Sequence, residues 1–338
     1  MTLCLLLTVV PSAMAESATP TPTIGSSASP SDVVDVIAAV DEALLGNASE
    51  VEPSNRGEFA IDASIGKAEI TVPTDPADGI TIESERGALT VELPFAAEAS
   101  EATSGGPGVV LYDNQNGSTT APIANDDGSV QINTVISSPD APTAYTYSFD
   151  LPSSTVVERV GDAILFMADG ELVGGLAPAW AKDAAGRDVP TRYVIDGSTV
   201  TQIVDHNDNY AYPVVADPWI GQWLFKSFQV NRKGKYKNKN IYSGVLSNWG
   251  WAVYTGTAQG GGALGLAAGY KIVRSIGWDE WKSKLVGANP AITLEQQYVC
   301  HARFGYAFWL AGFHWDLEAA RPKKSNWTDD PYSHKCNW

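Results

Sequence analysis

Cysteine, histidine and methionine are scarce, with 3 Cys, 4 His and 3 Met in 338 residues. So few cysteines exclude a disulfide-dense scaffold, and a chain of this length can bury enough surface to do without one. The histidines include no H-x-x-x-H pair, which removes the helical zinc-hydrolase pattern. No run of about 18 apolar residues occurs, so no segment reads as a membrane-spanning helix. Lys and Arg are missing before the apolar stretch Leu3 to Val10, and every charge is missing from Asn240 to Tyr270. Tryptophan is nearly absent from the first 218 residues. Only Trp180 occurs there, and the other ten of the 11 follow.

What is present begins with an export signature. Leu3 to Val10 is followed by Pro11 and then Ala13-Met14-Ala15, an A-x-A cleavage pattern. Residues 1–15 therefore read as a signal peptide, and the expected location is secreted, extracellular or cell-wall associated. Removal of Cys4 with that peptide leaves Cys300 and Cys336, which in an oxidising compartment most simply form one disulfide. Residues 16–32, rich in Ser, Thr, Pro and Ala, read as a disordered linker. Val33, Ile37, Val40 and Leu44 then recur at helical spacing ahead of Gly46, which predicts an amphipathic helix over 33–46.

The net charge of −17 conceals an asymmetry. Residues 219–338 hold 15 of the 22 Lys and Arg but 7 of the 39 Asp and Glu, a net of +8 against −25 for the remainder. Two such compositions point to two domains, an acidic one over 57–218 and a basic, Trp-rich one over 219–338. In the first, Tyr145, Tyr147, Phe149 and Leu151 alternate with polar residues, as do Leu89, Val91 and Leu93, the period of strands with one buried face. Asp127-Gly128, Asp169-Gly170 and Asp196-Gly197 are hairpin turn signals between such runs. The expected class is α+β in two domains: an N-terminal β-sandwich or barrel, then a small mixed α+β domain with one disulfide.

The basic domain opens with Arg232, Lys233, Lys235, Lys237 and Lys239 within eight residues. These are either the solvated face of a hairpin or a patch for a polyanion such as nucleic acid, a cell-wall polymer or anionic lipid. Asn240 to Tyr270, with Gly261, Gly265 and Gly269 at four-residue spacing, reads as a buried strand, a glycine-rich loop and the start of a helix. Ser275 to Gly287 predicts a helix with Glu280 and Lys284 paired at i,i+4. Another helix is predicted from Pro290 onward, with Thr293 and Gln296 at capping-box spacing and Leu294, Tyr298 and Ala302 on one face.

Two resemblances follow from particular runs. Residues 172–218, "LVGGLAPAWAKDAAGRDVPTRYVIDGSTVTQIVDHNDNYAYPVVADP", resemble a β-rich region of large secreted actinobacterial proteins that precedes variable C-terminal modules. The resemblance implies a presenter or pro-region. Trp278, Glu280, Gln297, Cys300, His301, Trp315, Leu317, Glu318, Arg321, Pro322, Cys336 and Asn337 resemble a small secreted actinobacterial C-terminal domain family of unknown function. That second likeness covers about the last 115 residues. It departs at Asp316, Ala319-Ala320 and Trp338, and it implies the Cys300–Cys336 pairing but no activity.

For chemistry, Cys300 beside His301 is not a nucleophile and its base, because neighbours on a helix point about 100° apart. His301, His314 and His334 near Asp316 and Glu318 match no standard metal spacing, and no cofactor motif is present. The weak catalytic candidates are His301, Glu318 and Arg321, as base, acid and phosphate clamp of a nuclease. The competing reading is a Glu318–Arg321 structural ion pair with His301 packed nearby. The favoured expectation is a secreted non-enzymatic module whose basic domain binds an envelope or other anionic polymer, presented by the acidic domain. The alternative is an exported antibacterial toxin, membrane-active or nucleolytic, masked by docking of the acidic half until release near Asp217-Pro218.

Overall fold

The computed structural model describes residues 29–54, 57–256, 262–285, 292–308 and 313–338. The expected signal peptide, Cys4, most of the linker and Gly261 lie outside the described residues. The helix read over 33–46 is two helices, α1 (Pro30–Val40) and α2 (Glu42–Gly46). Asp41 between them is extended, and its carboxylate accepts from the Ala43 N–H as the N-cap of α2. Aspartate favours that role over a helix interior. Ser29 and Asp32 cap α1 reciprocally, so the helix starts inside the stretch read as linker.

The strands then run in chain order. β1 (Phe59–Ile65), β2 (Ala68–Pro73), β3 (Ile80–Ser84) and β4 (Gly87–Glu92) form one meander. β5 (Thr103–Gly106), β6 (Val109–Asp113), β7 (Ser118–Ala124) and β8 (Val130–Ile136) form another. Next come β9 (Ala144–Asp150), β10 (Thr155–Val160), β11 (Ala163–Ala168) and β12 (Glu171–Leu176). β13 (Trp180–Lys182), β14 (Thr191–Asp196), β15 (Thr199–Val204), β16 (Val214–Asp217) and β17 (Trp219–Gly221) follow.

These strands build two sheets. One has seven strands in the order β1-β2-β3-β4-β9-β15-β14. The other has ten, in the order β10-β11-β12-β17-β8-β7-β6-β5, with β16 joining β13 to β8. Ile61, Ile70, Val91, Tyr147 and Phe149 of the first sheet meet Tyr112, Ile132, Ile164, Phe166 and Ile220 of the second in one buried core, as in a β-sandwich. The Asp169-Gly170 turn closes the β11–β12 hairpin as its sequence predicts, whereas Asp196 is the last paired residue of β14 and the β14–β15 turn is Gly197-Ser198. Strand β17 extends the ten-stranded sheet past Pro218, so the sheet runs a few residues beyond the point where the composition changes.

The remaining chain forms β18 (Phe225–Val230), β19 (Ile241–Leu246), α3 (Asn248–Thr255), α4 (Gly262–Ile272), a π-helical turn (Val273–Gly277), α5 (Trp278–Lys284), α6 (Ile292–Phe308), β20 (His314–Glu318) and α7 (Pro331–His334). β18, β19 and β20 make a three-stranded antiparallel sheet. Gly269 lets α4 lie against α3, because a Cβ there would sit 2.0 Å from the Tyr254 carbonyl oxygen. Cys300 and Cys336 form the expected disulfide, tying α6 to the segment after α7.

Both faces of the ten-stranded sheet are covered. Toward one end, Val33, Val36 and Ile37 of α1 pack on Val109, Ile123 and Val135. Toward the other, Ala163, Leu165 and Leu172 share one core with Leu224, Trp249, Trp281, Trp315 and Leu317. The joint also holds a buried charge. Glu280 accepts from the Leu224 and Phe225 N–H groups at 2.9 and 3.0 Å and from Arg86 at 2.8 Å. Lys67 donates to the Phe225 carbonyl at 2.5 Å and lies over the rings of Trp223 and Phe228. The expected Glu280–Lys284 pair does not form, because Glu280 turns inward to Arg86. Burial pushes the Glu280 carboxyl up and holds the Lys67 ammonium down at about 8.

Candidate functional site

The five cations expected to form a patch sit on the loop between β18 and β19, all exposed. Its geometry follows from local turn chemistry. Asn231 adopts the left-handed conformation, its carboxamide oxygen accepts from the Ile241 N–H at 3.0 Å, and Gly234 bonds back to its carbonyl. Further out, Tyr236 and Lys239 exchange both backbone hydrogen bonds, at 3.1 and 2.9 Å. The two residues between them, Lys237 and Asn238, have φ of 49° and 61°. That is a two-residue hairpin turn requiring positive φ twice, which favours Asn, Asp or Gly. A lysine at the first position costs about 1–2 kcal/mol in backbone strain.

The cations are mostly uncommitted. Arg232 lies 3.9 Å from Asp316, while no ion pair holds Lys233, Lys235, Lys237 or Lys239 among the described residues. Tyr236 offers an aromatic ring at the same place, with the Arg321 guanidinium 4.3 Å and the Lys237 ammonium 5.2 Å from its centroid. His314 is half-buried on β20 beneath this loop, and burial, then Arg232, then Lys233 outweigh Asp316 and hold its imidazole below the usual range.

The nuclease candidates are not brought together. Alternation along β20 puts Trp315 and Leu317 on the core face and His314, Asp316 and Glu318 on the other. Glu318 and Arg321 pair with each other. His301 belongs to the opposite side, fully buried on α6, stacked on Trp315 with ring centroids 5.5 Å apart, and 3.3 Å from the Asp316 carbonyl. Burial pulls its imidazole down to about 4, so it is neutral in neutral solution and reaches no solvent-borne substrate. The arrangement is that of an ion pair and a core histidine.

Other expected roles also move. Thr293 and Gln296 do not form a capping box. The Thr293 hydroxyl donates to the Arg321 carbonyl, and the Gln296 amide bonds the Lys324 backbone, so both pin the segment after β20 to α6. The tryptophans are mainly core: Trp249, Trp281 and Trp315 are fully buried, and Trp219 and Trp278 nearly so. Asp217-Pro218 lies between β16 and β17, with Asp217 buried and bonded to Gln131 at 2.8 Å. A protease cannot reach that bond without opening the sheet. Among the described residues no group of three His, Cys, Asp or Glu assembles for a metal, and no helix is long and apolar enough to cross a membrane.

Glu280, Arg86 and Lys67 went unrecognised as partners in the sequence. Glu280 lies 194 residues from Arg86, and nothing local announces the pairing. No protein-family model matches this chain, and no curated protein matches it either.

Proposed function

We propose that the protein is an exported, non-enzymatic binding module that meets an anionic polymer of the cell envelope through the loop Arg232–Lys239. The observation that carries this reading is Lys237. The turn asks for Asn or Gly, and a lysine in the left-handed conformation sacrifices stability to hold an ammonium at the tip. Four unpaired lysines around Tyr236 suit phosphate groups spaced along a flexible chain, with Arg321 backing the ring. The β half serves as the rigid platform that carries the loop.

The test is cosedimentation of the full chain with phosphate-rich cell wall, and with vesicles of anionic lipid, over a range of salt. Binding is expected to weaken steeply with salt. At about 1 kcal/mol per cation near an anionic surface, the variant Lys233→Glu/Lys235→Glu/Lys239→Glu should lose well over tenfold. Salt-insensitive binding, or binding unchanged in that variant, contradicts the reading.

A further inference from the structure

After β20 the chain runs from Ala319 to Trp338 with only α7 as regular structure, yet it is firmly held. Thr293 and Gln296 pin its start to α6, and Cys336 ties its end to the same helix. Between them His334 acts as a bracket. Its Nε2 donates to the Trp327 carbonyl at 2.7 Å, and its Nδ1 accepts from the Cys336 N–H at 3.0 Å. Both ring nitrogens of a neutral imidazole are thereby used. The Trp338 indole N–H donates to the Pro322 carbonyl at 2.7 Å.

This segment presents aromatic and basic groups. Trp327 and Trp338 are half-buried, unlike the tryptophans of the core. Lys323 and Lys335 are exposed, and neither has an ion pair among the described residues. Lys335 follows α7 with φ of 45° and ψ of 42°, the left-handed cap position that Gly or Asn normally takes. It repeats the choice made at Lys237, a lysine held where the backbone favours another residue. Arg321 joins the segment to the loop. Its guanidinium lies 4.3 Å from the Tyr236 centroid, and the next residue, Pro322, holds Trp338. His334 then links Trp338, 5.4 Å away between ring centroids, to Trp327. Aromatic rings thus continue outward from the cationic loop, with lysines among them and a fixed backbone beneath. Such rigid presentation lessens the ordering entropy lost on binding.

Resting on the polyanion reading of the loop, we propose that the polymer is an acidic polysaccharide. Its sugar rings pack on Trp338 and Trp327, and its acidic groups meet Lys237, Lys323 and Lys335. An indole offers a broad apolar surface to the C–H face of a sugar, and the lysines meet charges spaced along the chain. Single-stranded nucleic acid also stacks on aromatic rings beside cations. It carries a phosphate at every unit, however, and Asp329 and Asp330, both exposed, follow Trp327 closely. A glycan charged only at alternate rings can place neutral units there.

The test is binding of the full chain, over a range of salt, to hyaluronate, inorganic polyphosphate and poly(dT). Hyaluronate has sugars charged alternately, and polyphosphate has charge without sugar. Trp327→Ala/Trp338→Ala should weaken hyaluronate binding roughly tenfold and leave polyphosphate binding unchanged. Unchanged polyphosphate binding also shows that the variant keeps its folded surface. Trp327→Phe/Trp338→Phe retains rings and should keep most of the affinity for hyaluronate. The proposal is overturned if hyaluronate binding survives loss of both rings, or if polyphosphate binding falls by the same factor. It is overturned equally if poly(dT) binds more tightly than hyaluronate. Absence of salt-dependent binding to both hyaluronate and polyphosphate removes the loop reading as well. Salt-dependent binding that ignores the two rings leaves the loop reading standing and removes only this one.

Discussion

The acidic and basic halves differ in net charge by sign, −25 against +8, yet opposite charge is not what joins them. Their joint is an apolar layer of Leu165 and Leu172 against Leu224, Trp249 and Trp281. Among the described residues its one buried ion pair runs against the net charges, with Arg86 from the acidic half and Glu280 from the basic half. Lys67, also from the acidic half, lies beside the same carboxylate. The difference teaches that net charge describes what each half shows to solvent, while composition at the contact decides how they pack. The basic surface stays outward, where a polyanion can reach it.

The largest expected effect comes from breaking that joint. Glu280→Ala strands the Arg86 guanidinium and two backbone N–H groups in a buried place, which should cost about 3–5 kcal/mol in urea unfolding. A loss below about 1 kcal/mol would mean the contact is peripheral. Next is the disulfide, confined to the basic half. Replacing both Cys300 and Cys336 with Ser reopens a separation of 36 residues, worth about 3–4 kcal/mol of chain entropy. If the halves unfold together, that loss lowers protection of β8 and β11 as much as that of α6.

Acid should act on the halves in opposite directions. Burial raises the Asp217 carboxyl from 3.8 to about 7, so the stability it contributes is present in acid and lost as pH rises through 7. Burial lowers the His301 imidazole from 6.5 to about 4, so its contribution is present above 6.5 and lost as pH falls through 4. Relative to the parent chain, Asp217→Asn should gain stability between pH 4 and 7 as pH rises, and His301→Gln should gain as pH falls. Urea midpoints at pH 4.5 and 7.5 check both signs, and parallel shifts would refute the burial of one group. The smallest effect is at the loop. Lys237→Asn should stabilise by about 1 kcal/mol while weakening attachment to cell wall. A variant that is both less stable and unaltered in binding would remove the argument from strain.

Much of the fold was legible because local rules governed it. The alternation at Tyr145, Tyr147 and Phe149 and the Asp169-Gly170 turn depend on neighbours within a few residues and appear where expected, and the β14–β15 turn falls one residue later, at Gly197-Ser198. The disulfide followed from counting cysteines. What escaped was set by distant partners. "AILFMA" in β11 lacks alternation, and every residue of "VQINTVI" in β8 is buried, because both faces of the sheet are covered, a signal that a second layer lies outside. Glu280 reads locally as half of a surface pair with Lys284, but Arg86 claims it, and no local pattern marks Trp249, Trp281 and Trp315 as core. At the candidate site the cations were readable, but the left-handed backbone of Lys237 was not.

The claim that the two halves form one folded unit is tested most directly by equilibrium unfolding seen from both sides. Tryptophan fluorescence reports on the basic half, which holds ten of the 11 tryptophans. Amide-exchange protection of β7 and β8 reports on the sandwich. Coincident transitions in urea are expected, as for a single cooperative unit. Loss of the fluorescence signal at clearly lower urea, with the strands still protected, would show that the basic half is a separate domain resting on the sandwich.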